Sequence, residues 1–250
     1  MSPVTIILPT FNDEKIIEKK IFQLSKKMKE KKIKFEILII NDGSTDGTLK
    51  KIKKIKLDNK YIKLINNKIN LGKSASVKKA LRLTKYNNII ISDSDLPYFE
   101  VFNKILVKLN KNYDFVFVNR RHTKSKLIDT NLNFYQLFRY VLGNLVGLVV
   151  KNFLNLNIDG YERDTQAGLK GFKKIKQLKN LKFVSKKFFL DLEIMYYYKK
   201  YNKKFFSVPV KYTVPNSSSI RIFSLKENLV IFLELMRVIK NLKKSGKLVD

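Results

Sequence analysis

The chain has no cysteine and a single histidine, His122, among its 250 residues. Without thiols there is no disulfide, no zinc–thiolate centre and no cysteine nucleophile. One histidine excludes a histidine-cluster metal site. A metal here would need oxygen ligands, which suits Mg²⁺ or Mn²⁺. Long apolar runs are missing too. The longest uncharged one, Tyr140–Val150, falls short of the roughly 20 residues that a spanning helix needs. The chain opens on the strand-like run Val4–Leu8 with no basic leader and no cleavage site, so a cytoplasmic location without a signal peptide is expected. There is no internal repeat and no linker rich in Pro, Gly or Ser. Acidic residues are scarce: 21 Asp and Glu against 52 Lys and Arg give a net charge of +31. That field attracts anions such as anionic lipid, phosphorylated substrates or nucleic acid. Lysine far outnumbers arginine, however, and Asn and Ile are abundant. An AT-rich genome writes the same mixture into neutral surface positions, so charge alone decides little.

What is present is a regular alternation. Runs at Val4–Leu8, Phe35–Ile40, Tyr61–Ile65, Asn88–Ser92 and Asp114–Val118 read as strands. Between them, Glu14–Lys31, Asp46–Ile55, Ser74–Thr84 and Tyr98–Leu109 read as helices. This predicts an α/β fold with a mostly parallel sheet and helices on both faces. Beyond Asn119 the rhythm changes. Residues 132–154 are apolar almost all round, Gly168–Phe172 adds a strand, Phe188–Tyr201 is helical, Lys204–Val214 is extended, and Leu225–Leu242 is a last, strongly apolar helix.

Each early strand runs into a polar loop, and ligands on such sheets sit at the carboxyl ends of the strands. The loops are Pro9-Thr10-Phe11-Asn12-Asp13-Glu14, then Asn41-Asp42-Gly43-Ser44-Thr45-Asp46-Gly47-Thr48, then Asn70-Leu71-Gly72-Lys73, and Asp93-Ser94-Asp95. Caps and turns explain Thr10, Asn12, Asp46, Gly43 and Gly47 equally well. Asp93 and Asp95 are harder to explain that way. Two carboxylates at one strand end repel each other unless a cation or hydrogen bonds compensate. A divalent ion bridging them to a diphosphate would do so.

Taken in order, these four motifs resemble the nucleotide-sugar half of family 2 glycosyltransferases. Downstream, Asn119-Arg120-Arg121-His122, Asp164-Thr165-Gln166-Ala167-Gly168-Leu169-Lys170 and Phe189-Leu190-Asp191-Leu192-Glu193 resemble segments of the polyprenyl-phosphate hexose synthases. The likeness covers roughly residues 4–225. It implies a GT-A, Rossmann-like fold with interfacial C-terminal helices. It divides the chain into a domain 1–225, with a nucleotide-sugar half 1–119 and an acceptor half 120–225, and a C-terminal amphipathic helix 226–250. It further implies that Asp42 accepts from the base, and that Pro9, Phe11 and Glu14 line the base and ribose pocket. Lys73 would lie near the nucleotide, and Asp93 and Asp95 would hold the metal. Arg120 would face the acceptor phosphate or the leaving group. Arg139, Asp164, Gln166 and Arg221 complete the expected acceptor site. Asp95 and Arg120 are the residues expected to carry catalysis.

Asn41 replaces the first acid of the usual Asp-Asp-Gly. Pro97 and the Asp-Thr-Gln-Ala-Gly loop depart from mannosyl-transferring relatives. Together these resemble the dolichyl- or undecaprenyl-phosphate glucosyltransferase branch more closely and favour UDP-glucose as donor and a polyprenyl phosphate as acceptor. A lipid phosphate is already ionised, so no base is needed; Asp164 or Asp191 would serve as one for a hydroxyl acceptor. The apolar segments and +31 suggest a peripheral seat on an anionic membrane surface. A GDP-mannose enzyme, a soluble family 2 transferase acting on a surface glycan and a degenerate scaffold are the alternatives. A nucleic-acid-binding protein would leave the ordered carboxylate loops unexplained, since carboxylates repel a phosphate backbone. Nothing in the sequence speaks to oligomeric state.

Overall fold

The computed structural model describes residues 1–129, 131–154, 164–215 and 224–246. The strands are β1 (Val4–Thr10), β2 (Phe35–Asp42), β3 (Ile62–Asn67), β4 (Asn88–Ser92), β5 (Phe115–Val118), β6 (Lys126–Leu127), β7 (Leu169–Lys173), β8 (Phe205–Val208) and β9 (Lys211–Tyr212). The helices are α1 (Ile17–Glu30), α2 (Thr48–Leu57), α3 (Lys73–Leu83), α4 (Phe102–Asn110), α5 (Phe134–Leu154), α6 (Leu190–Lys200) and α7 (Leu225–Gly246).

Seven strands form one sheet in the order β3-β2-β1-β4-β7-β5-β8. Only β7 runs antiparallel, and it sits between β4 and β5. The central strands are continuous runs of Ile, Leu and Val, as burial on both faces requires. Alternate side chains serve two cores. Ile7, Leu38, Ile40, Ile89 and Ile91 face α3, α6 and α7. Ile6, Leu8, Ile37, Ile39 and Ile90 face α1 and α4. Helix α1 meets its core through Ile17, Ile21, Leu24 and Met28, a stripe at helical spacing. Pro9 is tolerated in a central strand because β1 pairs with β4 only over Val4–Ile7, so its missing N–H falls beyond that ladder.

The expected α/β fold with a mostly parallel sheet is what the chain adopts. The extended segment read over Lys204–Val214 is broken into β8 and β9, with β9 leaving to pair with β6. Pro209 lies in the gap, where it cannot donate to a ladder. Helix α7 is not peeled away from the rest. Leu235, Val238, Ile239 and Leu242 are buried in the core shared with α3 and α6. The switch in chain direction falls between β1 and β4: the chain winds outward through β2 and β3, then returns to β1's other side. In such sheets the ligand crevice lies there, at the carboxyl ends.

One buried acid in this fold has a measurable consequence. Glu193 on α6 has no exposed surface and accepts from the N–H groups of Val184 (2.7 Å) and Ser185 (3.1 Å). Burial pushes its carboxyl up to about 7, against those bonds and Lys78, with Glu234 adding to the rise. The folded state therefore holds a proton that the unfolded chain releases near 4.5. That stability is present at low pH and is lost as pH rises through about 7. Denaturant titrations from about pH 5 to about pH 8 should show unfolding free energy falling by roughly 2–3 kcal/mol more in the wild type than in Glu193→Gln, at about 1.4 kcal/mol per pH unit. Equal slopes for the two proteins would remove Glu193 from this role.

Candidate active site

The loops after β1, β2 and β4 meet at the switch point and are tied to one another. Asn12 Oδ1 accepts from the N–H of Thr45 at 2.9 Å, and Asn12 N donates to Ser44 Oγ at 3.0 Å. Asp13 N donates to Thr48 Oγ1 at 2.8 Å. Glu14 Oε2 accepts from Gly47 N at 3.0 Å. A Cβ on Gly47 would lie 2.2 Å from Glu14 Oε1, so a larger residue would push that carboxylate aside. Across the switch point, Ser94 Oγ donates to Asp13 Oδ2 at 2.6 Å. Pro9 is buried beneath this junction, while Phe11 stands 42% exposed at its mouth.

Acidic charge is concentrated here. Asp13 is held above the usual carboxylate range by burial, against its bond from Ser94, with Asp46 and Asp93 adding repulsion. Asp95 is raised by desolvation and then by Asp93. The answering cation is Lys73 at the start of α3, whose Nζ lies 2.5 Å from Asp93 Oδ1. Burial works against its charge, but Asp93 and then Asp191 outweigh that and hold the ammonium above the ordinary lysine range. The other side of Asp93 rests on Gly168, where a Cβ would fall 2.5 Å from Asp93 Oδ2 and 2.8 Å from Pro97 Cγ. Pro97 is flanked by Leu96 (φ 52) and Tyr98 (φ 60), two non-glycine residues in the left-handed region. Such backbone costs on the order of 1–3 kcal/mol per residue and persists only where packing over-determines it.

Asp93 and Asp95 offer hard oxygen donors, and the rise at Asp95 is relieved by a cation. The pair therefore fits Mg²⁺ or Mn²⁺. Among the described residues no three acidic or histidine side chains converge as metal ligands.

Two ion pairs lie on the acceptor side of the sequence reading, one partly and one fully buried. Arg120 grips Asp164 with its fork, Nε to Oδ2 at 2.9 Å and Nη2 to Oδ1 at 2.8 Å, and its backbone N–H adds a third bond at 2.8 Å. Burial would raise the Asp164 carboxyl, but Arg120 holds it below the usual range. Lys170 on β7 is buried against Asp191 in the first turn of α6. Burial lowers its ammonium pKa, with Asp191 opposing. Gln166 is exposed and donates to Phe188 O at 3.4 Å. Arg139 is half-buried on α5, and Arg221 lies outside the described residues.

Several placements differ from expectation. Asp42 was read as the partner of a nucleotide base. Instead both its oxygens accept from within the chain: Asn67 Nδ2 (2.9 Å), Leu71 N (3.0 Å), Gly72 N (2.9 Å) and Ser76 Oγ (2.7 Å). Three of these donors reach Oδ1 and one reaches Oδ2, and Asp42 is 3% exposed. It holds the Asn70–Gly72 loop in place. The fork of Arg120 was expected to meet a phosphate and is closed on Asp164. Asn41, the departure from Asp-Asp-Gly, points into the α1–α4 side of the sheet and donates to Asn66 Oδ1 at 2.7 Å, away from the Asp42 loop. His122 is held locally, its Nδ1 accepting from Lys124 N at 3.0 Å. The reading missed the Asp13–Ser94 link and the Lys170–Asp191 pair. Both lay within quoted motifs, but only the antiparallel strand and the loop closure bring the partners together.

A mostly parallel sheet of this order, with carboxylates facing a lysine at the β1–β4 switch, is an α/β scaffold with a polar site at its carboxyl edge. The sequence profile of Glycosyl transferase family 2 matches residues 5–163, and the chain belongs to that family. Among curated relatives, an uncharacterized glycosyltransferase of Synechocystis is 31% identical over 121 residues, 47% of this chain and 37% of that protein. A dolichyl-phosphate beta-glucosyltransferase of Dictyostelium discoideum is 28% identical over 234 residues, 88% of this chain and 69% of that protein. The chain thus spans less than half the length of the Synechocystis relative. In solved structures the fold recurs in a UDP complex of glucosyl-3-phosphoglycerate synthase from Mycobacterium tuberculosis, with TM-score 0.64, 14% identity, and coverage of 100% of this chain and 82% of that one. It recurs also in mannosyl-3-phosphoglycerate synthase from Rubrobacter xylanophilus, with TM-score 0.69, 15% identity, and coverage of 99% and 76%.

The Arg120–Asp164 pair makes a stability prediction. The Arg120 side chain is 35% exposed and that of Asp164 only 3%, so removing the arginine strands a buried carboxylate. Arg120→Ala should destabilise the fold by about 2–3 kcal/mol, below the largest losses for buried pairs because one partner is part-solvated. Arg120→Lys should recover only part, since a point charge cannot reproduce the fork. Unchanged thermal stability in Arg120→Ala would contradict the structural role.

Proposed function

We propose that this chain is a metal-dependent hexosyltransferase that moves a hexose, with glucose favoured, from UDP-glucose to a polyprenyl phosphate at a membrane face. The observation that carries this reading is the condition of the two candidate bases. A hydroxyl acceptor needs a carboxylate free to take its proton. Asp164 is committed to Arg120 and held below the usual carboxylate range, and Asp191 lies against the buried ammonium of Lys170. A phosphate acceptor arrives ionised and asks for neither.

The donor is assigned to the β1–β4 switch. Phe11 offers an exposed ring to the base. Lys73, at the start of α3, sets a cation beside the diphosphate. Asp93 and Asp95 hold the divalent ion, which when bound offsets the charge of the departing diphosphate. An acceptor phosphate oxygen then bonds to the anomeric carbon as the bond to the diphosphate breaks, with inversion and release of the nucleoside diphosphate. The Dictyostelium relative, matched over 88% of this chain, supports the lipid acceptor and glucose.

The membrane seat rests on α5 and α7. Phe134 (75% exposed), Leu137, Val141 and Leu145 on α5, and Leu229, Phe232 (53%) and Leu233 on α7, present apolar side chains outward. No helix among the described residues is long and apolar enough to cross a membrane. A helix lying in the interface suits such faces, with lysines meeting anionic head groups.

Transfer assays with radiolabelled donors test the chemistry. UDP-glucose should outperform GDP-mannose, polyprenyl phosphate should outperform sugar hydroxyls, and excess chelator or Asp95→Asn should bring transfer to background. Full activity in chelator sinks the metal assignment, and transfer only to hydroxyls sinks the acceptor. Liposome flotation tests the seat: binding to anionic vesicles should weaken in high salt yet leave an apolar remainder, whereas a protein that stays free at low salt has no such seat.

A further inference from the structure

Helix α7 reaches into the molecule through one acid. Glu234 Oε1 accepts from the N–H groups of Lys186 and Lys187, each at 2.7 Å, and from Ser185 Oγ at 2.9 Å. Its other oxygen is buried without a hydrogen-bond partner. A carboxylate kept this way is costly, so its retention between the apolar neighbours Leu233 and Leu235 asks for a reason beyond packing. The segment it grips, 183–187, is a strap. Glu193 takes the N–H groups of Val184 and Ser185, and Lys78 Nζ donates to Ser185 O at 2.5 Å.

The strap in turn supplies what α3 lacks. The first N–H groups of a helix have no partner within it, and Gly72 gives α3 no side-chain cap. Lys187 O accepts from Ser74 N at 3.3 Å, and Lys186 O from Ala75 N at 3.1 Å. Ser185 Oγ bonds Ser74 Oγ at 3.0 Å and accepts from Phe189 N at 2.9 Å, where α6 begins. Gly72 adopts φ 91, and a Cβ there would lie 2.7 Å from Lys186 O. The strap therefore lies directly on the turn that launches Lys73 toward Asp93.

We propose that Glu234 is a positioning residue of the donor site: by fixing the 183–187 strap it fixes the first turn of α3 and so the hold of Lys73 on Asp93. Helix α7 is then a working part of that site, and Phe232, Leu233 and Met236, exposed around Glu234, link its seating to the donor loops. This rests on reading the Lys73–Asp93 edge as the donor site.

Hydrogen–deuterium exchange on the full chain, with calorimetry of UDP plus Mn²⁺, tests it. In Glu234→Ala, exchange should rise about tenfold at 183–187 and also at Ser74 and Ala75, while α1 and α4 stay protected. Affinity for UDP plus Mn²⁺ should fall several-fold. Glu234→Gln keeps a carbonyl oxygen for the strap and should recover most of both. Loosening confined to 183–187 with unchanged affinity, or equal loosening of α1, overturns the proposal. A wild type that does not bind UDP with Mn²⁺ would defeat the donor reading instead, and the exchange at Ser74 and Ala75 would still decide whether Glu234 governs α3.

Discussion

Repulsion among carboxylates at the carboxyl edge of the sheet is the constraint on which the rest of this structure depends. Asp13 and Asp95 are both held above the usual carboxylate range there, by burial first and then by neighbouring carboxylates. The chain answers with cations set beside acids along the same edge: Lys73 at Asp93, Arg120 at Asp164, Lys170 at Asp191. Each pair draws its members from different parts of the chain, so the charge balance also ties the elements together.

The backbone keeps that edge compact. Gly47 admits the Glu14 carboxylate, Gly168 admits Asp93, and Gly72 admits the strap. In all three the missing Cβ is room for a polar group of another element. Leu96 and Tyr98 carry backbone strain on either side of Pro97. Burial of Leu96 and the packing of Pro97 on Gly168 hold that strain in place.

Much of the fold was legible because apolar periodicity reports which face of an element is buried. Asn88–Ser92 was read to the residue, and the β-α alternation through β5 follows from runs of Ile, Leu and Val. Loop chemistry was legible as types of residue but not as partners. Asp42 was recognised as a polar residue at a strand end. Its bonds from Asn67, Leu71, Gly72 and Ser76 depend on how a segment 25–34 residues away folds back. Arg120 and Asp164 were both named, yet their pairing needs the approach to β7, an antiparallel strand that periodicity cannot place. Glu234 gave no signal, because one glutamate on an amphipathic helix ordinarily faces water.

The insertion of β7 bears on how the chain can be made. Strands β4 and β5 never pair with each other; each is zipped to β7, which follows β5 by some fifty residues. A nascent chain that has emerged only as far as Val118 owns a half-sheet ending in the bare edge of β4, with β5 unmoored. Exposed edges of this kind recruit other strands, and long-range pairing is slow to form. The acceptor-side sequence thus closes the donor-side sheet. The two halves of the chain are separable on paper as motifs but not as folding units, and a fragment cut at residue 119 would be a candidate for aggregation rather than a minimal nucleotide-binding domain.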